Sequence, residues 1–385
     1  EREKRIREAL FLREPDRVPV VLGGTYFAAR YAGLKCDSAF YDAAAWKEAY
    51  KKTLLDFAPD AYGGSTPSTS GVTMSLLDTK QMRWPGGTLP PDSGQQYVEA
   101  EYMKEDEYDL FLSDPSDFTL RYYLPRVFGG LQPLTRLPSV KTWLGGTAFT
   151  NSVPLFATAD FQRLFEALTK AGQEEVKWRK TMGNLDEELE GLGFPRIGHG
   201  QGAGGAPFDA ISDHLRGMRG AMIDMYRRPE KLLAACDKIL DWRMEKSVPA
   251  DPKKRGNPKI AICALHRGSE GFMSRKQYET FYWPGLKKAL LATIDLGFLA
   301  LPFFEGKCDD RLEYILELPK GKIACRFAET DMKRAKAVLG NHCCIMGNVP
   351  ATLLQVGSTQ EVEEYTRDLI KVCGKGGGLI VRAST

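Results

Sequence analysis

Short apolar runs alternate with longer segments of helical spacing along most of the chain. Such runs are typical of buried parallel strands, and the helical segments between them would carry the chain back to start the next strand. Strands are predicted at 18–22, near 60–64, and at 140–146, 196–202, 260–265, 299–304, 322–328, 343–349 and 379–383. Helices are predicted at 2–12, 46–57, 160–181, 209–227, 229–247, 275–296, 309–318, 331–339 and 361–373. Eight or nine such strands favour a closed (β/α)8 TIM barrel over an open doubly wound sheet.

Residues 66–136 interrupt this alternation. The segment is rich in proline and glycine, and its acidic and aromatic residues follow no single period. Because a bare loop of this length is uncommon in a compact domain, we expect an elaborate insertion over one face of the barrel. The whole chain, 1–385, is then predicted to be a single domain with this insertion in its N-terminal half.

Composition excludes several classes of protein. The net charge is only +3, from 53 basic and 50 acidic residues, which provides no basic surface for nucleic acid. No apolar run reaches the roughly 18–20 residues that span a bilayer, and the chain begins without a signal-like apolar core. Eight cysteines are scattered without a CxxC pair. Free thiols in a chain of this length predict a reducing, cytoplasmic location.

Two strand ends carry the strongest chemical signals. The run 260–265 ends in His266, and the run 299–304 ends in Glu305. Because active groups of parallel barrels cluster at the carboxyl ends of strands, we expect both side chains to face one pocket. An imidazole can donate or accept a proton near neutral pH, and a carboxylate after an apolar strand is costly unless it is paired or ligating. The alternatives are a capping histidine and a structural salt bridge.

Other positions at predicted strand ends are candidates for lining the pocket. The expected substrate-binding side chains are Tyr26, Arg30, Asp60, His199 and Arg267. Cys308 lies one turn beyond Glu305 and could complete a metal site with His266 and Glu305; a thiol buried beneath a helix is the alternative. Asp331 is interpreted as a helix N-cap. The glycines of 199–205 lack the ending of a phosphate-binding loop, and a tight strand-to-helix turn explains them more simply.

Several segments resemble the uroporphyrinogen decarboxylase superfamily over nearly the whole chain. They are the start Asp16-Arg-Val-Pro19, Ala29-Arg30-Tyr31, Ala206-Pro-Phe-Asp209, Tyr226-Arg-Arg-Pro-Glu230, the His266 strand end, and Gly347-Asn348-Val-Pro350 with Leu353 and Leu354. The resemblance implies a (β/α)8 barrel with its pocket at the carboxyl face. It also implies a closing helix after the last strand, so we expect the chain, which stops at Thr385, to be trimmed there.

Departures from the family's motifs separate its branches. The decarboxylases hold substrate carboxylates with two arginines of an RQAGRY-like motif, whereas residues 26–31 here keep only Arg30. The thiol methyltransferases hold zinc with an HxC pair and a late cysteine. His266 matches the histidine, but Gly268 and the segment 383–385 replace the two cysteines. A zinc site would therefore need His266, Glu305 and Cys308, a mixed set compatible with catalytic zinc.

The resemblance favours a methyltransferase of a corrinoid-dependent system that acts on a small substrate. Methylcobalamin or another corrinoid would arrive on a partner protein, zinc would assist or His266 would donate a proton, and a homodimer is the family expectation. The alternative is a metal-free decarboxylase or lyase of a small acid, with Arg30 and Arg267 as carboxylate anchors. A third hypothesis is a non-enzymatic docking subunit with a closed, apolar pocket and a dispensable His266.

Overall fold

Eight parallel strands close into a barrel. The computed structural model describes residues 1–23, 26–64, 69–144, 146–253, 256 and 258–384. Its strands are β1 (Val21–Leu22), β2 (Ala61–Gly63), β3 (Met82–Arg83), β4 (Gln96–Tyr97), β5 (Arg196–Ile197), β6 (Ile260–Leu265), β7 (Leu299–Phe304), β8 (Ala324–Phe327), β9 (Cys344–Met346) and β10 (Leu379–Ile380). The sheets run β1-β2-β5 and β6-β7-β8-β9-β10. The single bridges Gly200–Ala261 and Val20–Val381 join their edges. This closure confirms the predicted (β/α)8 TIM barrel.

Helices of very different length connect the strands. The α-helices are α1 (Arg2–Leu10), α2 (Phe27–Tyr31), α3 (Ser38–Tyr41), α4 (Ala43–Phe57), α5 (Gly71–Leu76), α6 (Tyr108–Ser113), α7 (Pro115–Phe118), α8 (Leu124–Val127), α9 (Thr147–Phe156), α10 (Ala159–Met182), α11 (Leu185–Gly191), α12 (Pro207–Ala210), α13 (Gly217–Arg227), α14 (Pro229–Lys246), α15 (Arg275–Gln277), α16 (Trp283–Asp295), α17 (Leu312–Ile315), α18 (Met332–Leu339), α19 (Ala351–Val356) and α20 (Thr359–Cys373). Short π-helical turns at 119–123, 211–216 and 278–282 and 3₁₀ turns at 129–136, 140–143 and 309–311 continue several of them.

Side chains of the late strands alternate between two hydrophobic cores. Leu299 and Leu301 of β7 fill the barrel interior with residues of the other strands, whereas Ala300 and Phe304 pack outward under the helices. All six residues of β7 are buried. A parallel strand covered on both faces appears in the sequence as a continuous apolar run, which explains why it could be predicted.

Local sequence determines where several helices begin. Ser274 starts α15 with a reciprocal capping box that involves Gln277, and Ser358 starts α20 in the same way with Glu361. The carboxylate of Asp331 accepts hydrogen bonds from two backbone N–H groups of α18. Capping by short polar side chains satisfies the free N–H groups of a first turn. The predicted N-cap at Asp331 is therefore confirmed.

The segment 140–146 was predicted to be a strand, and this prediction is wrong. Val140–Trp143 forms a 3₁₀ turn, and α9 begins at Thr147. The apolar residues there have no neighbouring strand to pair with, so their β propensity is overridden. The connection between β2 and β5 is consequently longer than the predicted insertion at 66–136, of which 66–68 lie outside the described residues.

The insertion lies over the side of the barrel where the strands end. β3 and β4 form a small antiparallel hairpin, and Tyr97 of β4 donates a hydrogen bond to the carbonyl of Asp213 at 2.5 Å. Glu99 pairs with Arg267, which follows β6.

Among the described helices, none combines the length and apolarity that a bilayer-spanning segment needs. All eight cysteines are unpaired thiols.

Candidate active site

His266 and Glu305 lie side by side where β6 and β7 end. The pairing of Leu265 with Phe304 places the residues that follow them next to each other. His266 Nε2 is 3.5 Å from Glu305 Oε1. The side chains are 36% and 43% exposed, so both remain open to a ligand. The structure thus brings together the two groups that the sequence placed at adjacent strand ends.

A second carboxylate holds the other side of the imidazole. Asp213, in the π-helical turn after α12, lies 2.5 Å from His266 Nδ1. Its side chain is only 11% exposed. The hydrogen bond to Asp213 is the main cause that raises the pKa of His266 to about 10, with a further contribution from Glu305, while partial burial opposes both. His266 is therefore an imidazolium at neutral pH, with a proton on each nitrogen.

Asp209 positions the turn that carries His266. Its carboxylate accepts hydrogen bonds from the backbone N–H groups of His266 and Arg267, each at 3.0 Å. It also accepts one from the hydroxyl of Tyr282 at 2.7 Å. Burial raises the pKa of Asp209 to about 6. Because Asp209 and Asp213 are one helical turn apart, a single short segment fixes both the backbone and the side chain of His266.

Arg267 closes this network. Its Nη2 lies 3.0 Å from Asp213 Oδ1 and 3.3 Å from Glu99 Oε2, and its Nε donates to Ser212 Oγ at 3.0 Å. The side chain is 19% exposed. Since protein carboxylates already neutralise this guanidinium, it ties the insertion to the site instead of offering a free anchor for a substrate carboxylate.

A large cavity adjoins His266. Its volume is about 1580 Å³, and it is lined by the segment after β5, by residues along β6 and by residues of α14. The glycine-rich segment 198–205 provides much of one wall, so backbone is exposed there in place of side chains. Pockets for drug-sized ligands usually occupy about 300–1,000 Å³. The space is therefore larger than a small substrate alone requires.

The family of the chain follows from comparison with known proteins. The sequence matches the family model of uroporphyrinogen decarboxylase (URO-D) over residues 158–384, more than half of its length. The chain belongs to the uroporphyrinogen decarboxylase family. This is a family of enzymes, and the match confirms the resemblance seen in the sequence.

A solved structure agrees with this assignment at the level of the fold. A methyltransferase from Methanosarcina mazei superimposes with a TM-score of 0.59 over 100% of this chain and 92% of that chain, at 12% sequence identity. At this identity the likeness shows the fold alone. No match was found among curated protein sequences.

Asp60 was predicted to line the pocket, but it lies at the opposite end of the barrel. It lies immediately before β2, at the start of that strand, whereas the predicted pocket lies at the carboxyl ends of the strands. Its fully buried carboxylate pairs with Arg5 at 2.5 Å and with Arg17 at 2.7 Å, and it accepts a hydrogen bond from the N–H of Val20. The prediction is corrected: Asp60 ties α1 and the start of β1 to β2, far from substrate chemistry.

Tyr26 and Arg30 follow β1, but both are engaged with the insertion. The Tyr26 hydroxyl donates to Gln95 Oε1 at 3.1 Å, and burial raises its pKa to about 12. Arg30 donates to the carbonyl of Asp92 at 2.9 Å and is exposed. The structure does not bring either side chain into contact with His266 or Glu305.

His199 lines the large cavity but is largely buried. Its Nδ1 accepts a hydrogen bond from the N–H of Ile260 at 3.0 Å, and burial lowers its pKa to about 4. Its Nε2 is buried without a hydrogen-bond partner among the described residues. The imidazole is therefore neutral, and it joins β5 to the start of β6.

The predicted metal set of His266, Glu305 and Cys308 is not formed. Across the part of the chain that the structure describes, no group of three or more His, Cys, Asp or Glu side chains is arranged to hold a metal ion. Cys308 is 3% exposed, and burial raises the pKa of its thiol to about 12. Cys308 packs in the outer hydrophobic core and is not grouped with His266 and Glu305. The two remaining donors are fewer than the three protein ligands of a catalytic zinc.

Sequence reasoning missed Asp209 and Asp213, which do most to position His266. The usable signal was their spacing in Pro207-Phe-Asp209-Ala-Ile-Ser-Asp213, directly after the glycine-rich turn that follows β5. Pro207 starts the helix at its first position, so two carboxylates four residues apart project from one face near a strand end.

Proposed function

We propose that this protein is a methyltransferase of a corrinoid-dependent system that removes a methyl group from a small methyl ether. The observation that supports it most directly is the imidazolium of His266, held between Asp213 and Glu305 at the mouth of the barrel. The full-length structural likeness to a methyltransferase adds support from the fold. The cytoplasmic location expected from the free thiols is part of the same proposal.

The chemistry follows from the charge state of His266. Cleavage of the O–CH3 bond leaves the electron pair on the ether oxygen, and the proton of His266 Nε2 is transferred to that oxygen. Glu305, 3.5 Å away, holds this proton until the substrate oxygen replaces it as acceptor. A phenol has a pKa of about 10, close to the pKa of about 10 of His266. An aryl ether therefore suits this donor, because proton transfer to its leaving oxygen is close to balanced.

When bound, a reduced corrinoid on a partner protein would supply the nucleophile that accepts the methyl group. The cavity of about 1580 Å³ beside His266 supports this assignment, since it exceeds the needs of a small ether. Asp213 and Asp209 keep the imidazolium oriented while substrate and acceptor meet. The donors present among the described residues do not fit zinc, so the proposed reaction uses the proton of His266 and no metal.

The test combines the purified protein with reduced corrinoid protein and aryl methyl ethers, followed by the visible spectrum of the corrinoid. His266→Gln removes the proton donor and should lower the rate by about 10²–10⁴-fold. His342→Gln is the matched control, because His342 lies before β9 at the other end of the barrel. Full activity in His266→Gln would disprove the proposed role. Metal analysis of wild type, His266→Ala and Glu305→Ala tests zinc separately.

A decarboxylase of a small acid is the second candidate, supported by the family match. Its expected anchors, Arg30 and Arg267, already contact protein groups, which weakens this candidate. The decarboxylase candidate predicts that carbon dioxide is released without any corrinoid. The docking-subunit hypothesis fits less well, because it expected a closed and apolar pocket whereas His266 and Glu305 are open to solvent.

A further inference from the structure

Two arginines point into the barrel from its late strands. On β8, Ala324 faces the interior while Cys325 and Phe327 pack outward, so Arg326 between them faces inward. Arg382 comes two residues after Ile380, another interior residue, and follows the same alternation. Arg326 is only 9% exposed. Its guanidinium carbon lies 3.7 Å from the centroid of the Phe303 ring.

Among the described residues, neither guanidinium has a carboxylate within ion-pair distance. The charge of Glu305 acts on Arg326 without forming an ion pair with it. Arg326 donates one hydrogen bond, from Nη2 to the carbonyl of Ser384 at 3.2 Å. The Nε atoms of Arg326 and Arg382 are both buried, and neither has a hydrogen-bond partner in the part of the chain that the structure describes. Buried cations normally have counter-charges, because removal from water is costly.

Burial lowers the pKa of both guanidinium groups, and repulsion by Arg382 adds to this effect at Arg326. Burial, with a smaller contribution from Arg382, lowers the pKa of Arg326 to about 9. Burial also lowers the pKa of Arg382. Two buried guanidinium groups that have no ion-pair partner among the described residues form a positive site that suits an anion from outside.

Glycines make room for one of these side chains. A Cβ atom added to Gly23 would lie 2.3 Å from Nη2 of Arg382, and one added to Gly63 would lie 2.8 Å from the same atom. Gly23 follows β1 and Gly63 ends β2, so the guanidinium crosses two strand ends at backbone distance. A side chain at either position would force the guanidinium of Arg382 to move.

Arg326 lies near the proposed reaction centre. It pairs with Phe303, two residues before Glu305, and the charge of Glu305 acts on it. Glu305 is itself 3.5 Å from His266. An anionic group bound between the two guanidinium groups would therefore lie in the same barrel interior as the ether oxygen that reaches His266.

We propose that Arg326 and Arg382 bind an oxyanion of the substrate, so that the substrate is a small anionic methyl ether. Planar guanidinium groups bind a carboxylate or a phosphate through paired hydrogen bonds. The assignment of the ether rests on the proposed function, but the anion site does not, since a decarboxylase substrate would use it equally.

The test is a calorimetric titration with three probes and no corrinoid. The probes are 4-methoxybenzoate, its neutral analogue methoxybenzene, and inorganic phosphate. We expect an anion to bind the wild type, and Arg326→Gln and Arg382→Gln to lose about tenfold to a hundredfold in affinity, because each removes charged hydrogen bonds. The exposed, paired Arg275 supplies the control variant Arg275→Gln, which should bind normally. Stronger binding of 4-methoxybenzoate indicates a carboxylate, and stronger binding of phosphate a phosphorylated substrate.

Thermal unfolding distinguishes an anion site from ordinary packing. Without anion, Arg382→Gln should unfold no earlier than wild type, since it removes an unbalanced buried charge. Arg382→Lys, which keeps the charge, serves if the glutamine variant does not fold. Equal affinity for the probes in wild type and both glutamine variants, or no anion binding at all, would overturn the anion site. Loss of methyl transfer with intact anion binding would reject only the methyltransferase.

Discussion

Asp213→Asn should separate the charge of His266 from its position. The amide keeps the shape of the side chain and can still accept a hydrogen bond from Nδ1, but it removes the charge. That contact, at 2.5 Å, is the largest contribution to the raised pKa of His266. Arg267 keeps its contacts with Glu99 and Ser212 in the variant, so the turn after β6 should remain folded.

The size of the effect follows from the pKa of about 10 in the wild type. One pKa unit corresponds to about 1.4 kcal/mol. Because the imidazole is 36% exposed, solvent screens part of the interaction, and we expect the variant to lose about 1–3 kcal/mol of imidazolium stabilisation. The pKa of His266 should fall by about one to two units, and Glu305 should retain the rest.

Stability should respond to pH in a defined direction. The folded-state pKa of about 10 lies above the unfolded value near 6.5. The ion pairs of His266 therefore stabilise the fold fully below about pH 6.5, and this contribution disappears as the pH rises toward 10. In Asp213→Asn the loss should begin at the same pH, because the unfolded-state pKa is unchanged, and it should be complete at a lower pH.

The assay is a proton NMR titration of the histidine side chains. The chain has four histidines, so single His→Gln variants assign every signal. Methyl-transfer rates measured over the same pH range should decline with deprotonation of His266 in both proteins. Asp331→Asn, which alters only the cap of α18, controls for the substitution itself. An unchanged titration of His266 in Asp213→Asn would refute the account of the site.

Three further changes test other parts of the structure. Glu305→Gln should lower the pKa of the neighbouring imidazole less than Asp213→Asn does and reduce methyl transfer about tenfold or more, as the pH–rate profile will show. Asp60→Asn should cost about 3–5 kcal/mol in urea unfolding because it breaks a buried ion pair, whereas Asp16→Asn, at a side chain that is 66% exposed, should cost clearly less. Gly63→Ala should displace the guanidinium that crosses it and raise KM for an anionic ether, and Gly172→Ala, with open space around it, should not.

Much of the barrel was predictable because its signals are local. The run 299–304 is apolar throughout since β7 is covered on both faces, and Asp331 caps the helix that follows it in sequence. The pairing of Leu265 with Phe304 then places His266 beside Glu305 without further information. The segment 140–146 failed because a strand needs a partner, and no local pattern reveals whether one is present.

What the sequence by itself determined was therefore the alternation of strands and helices, the closed barrel and the two polar strand ends. Only the tertiary structure decided which groups meet. It set Asp213 against His266 across 53 positions of sequence and placed Asp60 in an ion cluster with Arg5 and Arg17. It also buried Arg326 and Arg382 with no hydrogen-bond partner for either Nε among the described residues. The physical reason is that periodicity and capping act within a few residues, whereas charge pairing and burial depend on distances that exist only once the barrel has closed.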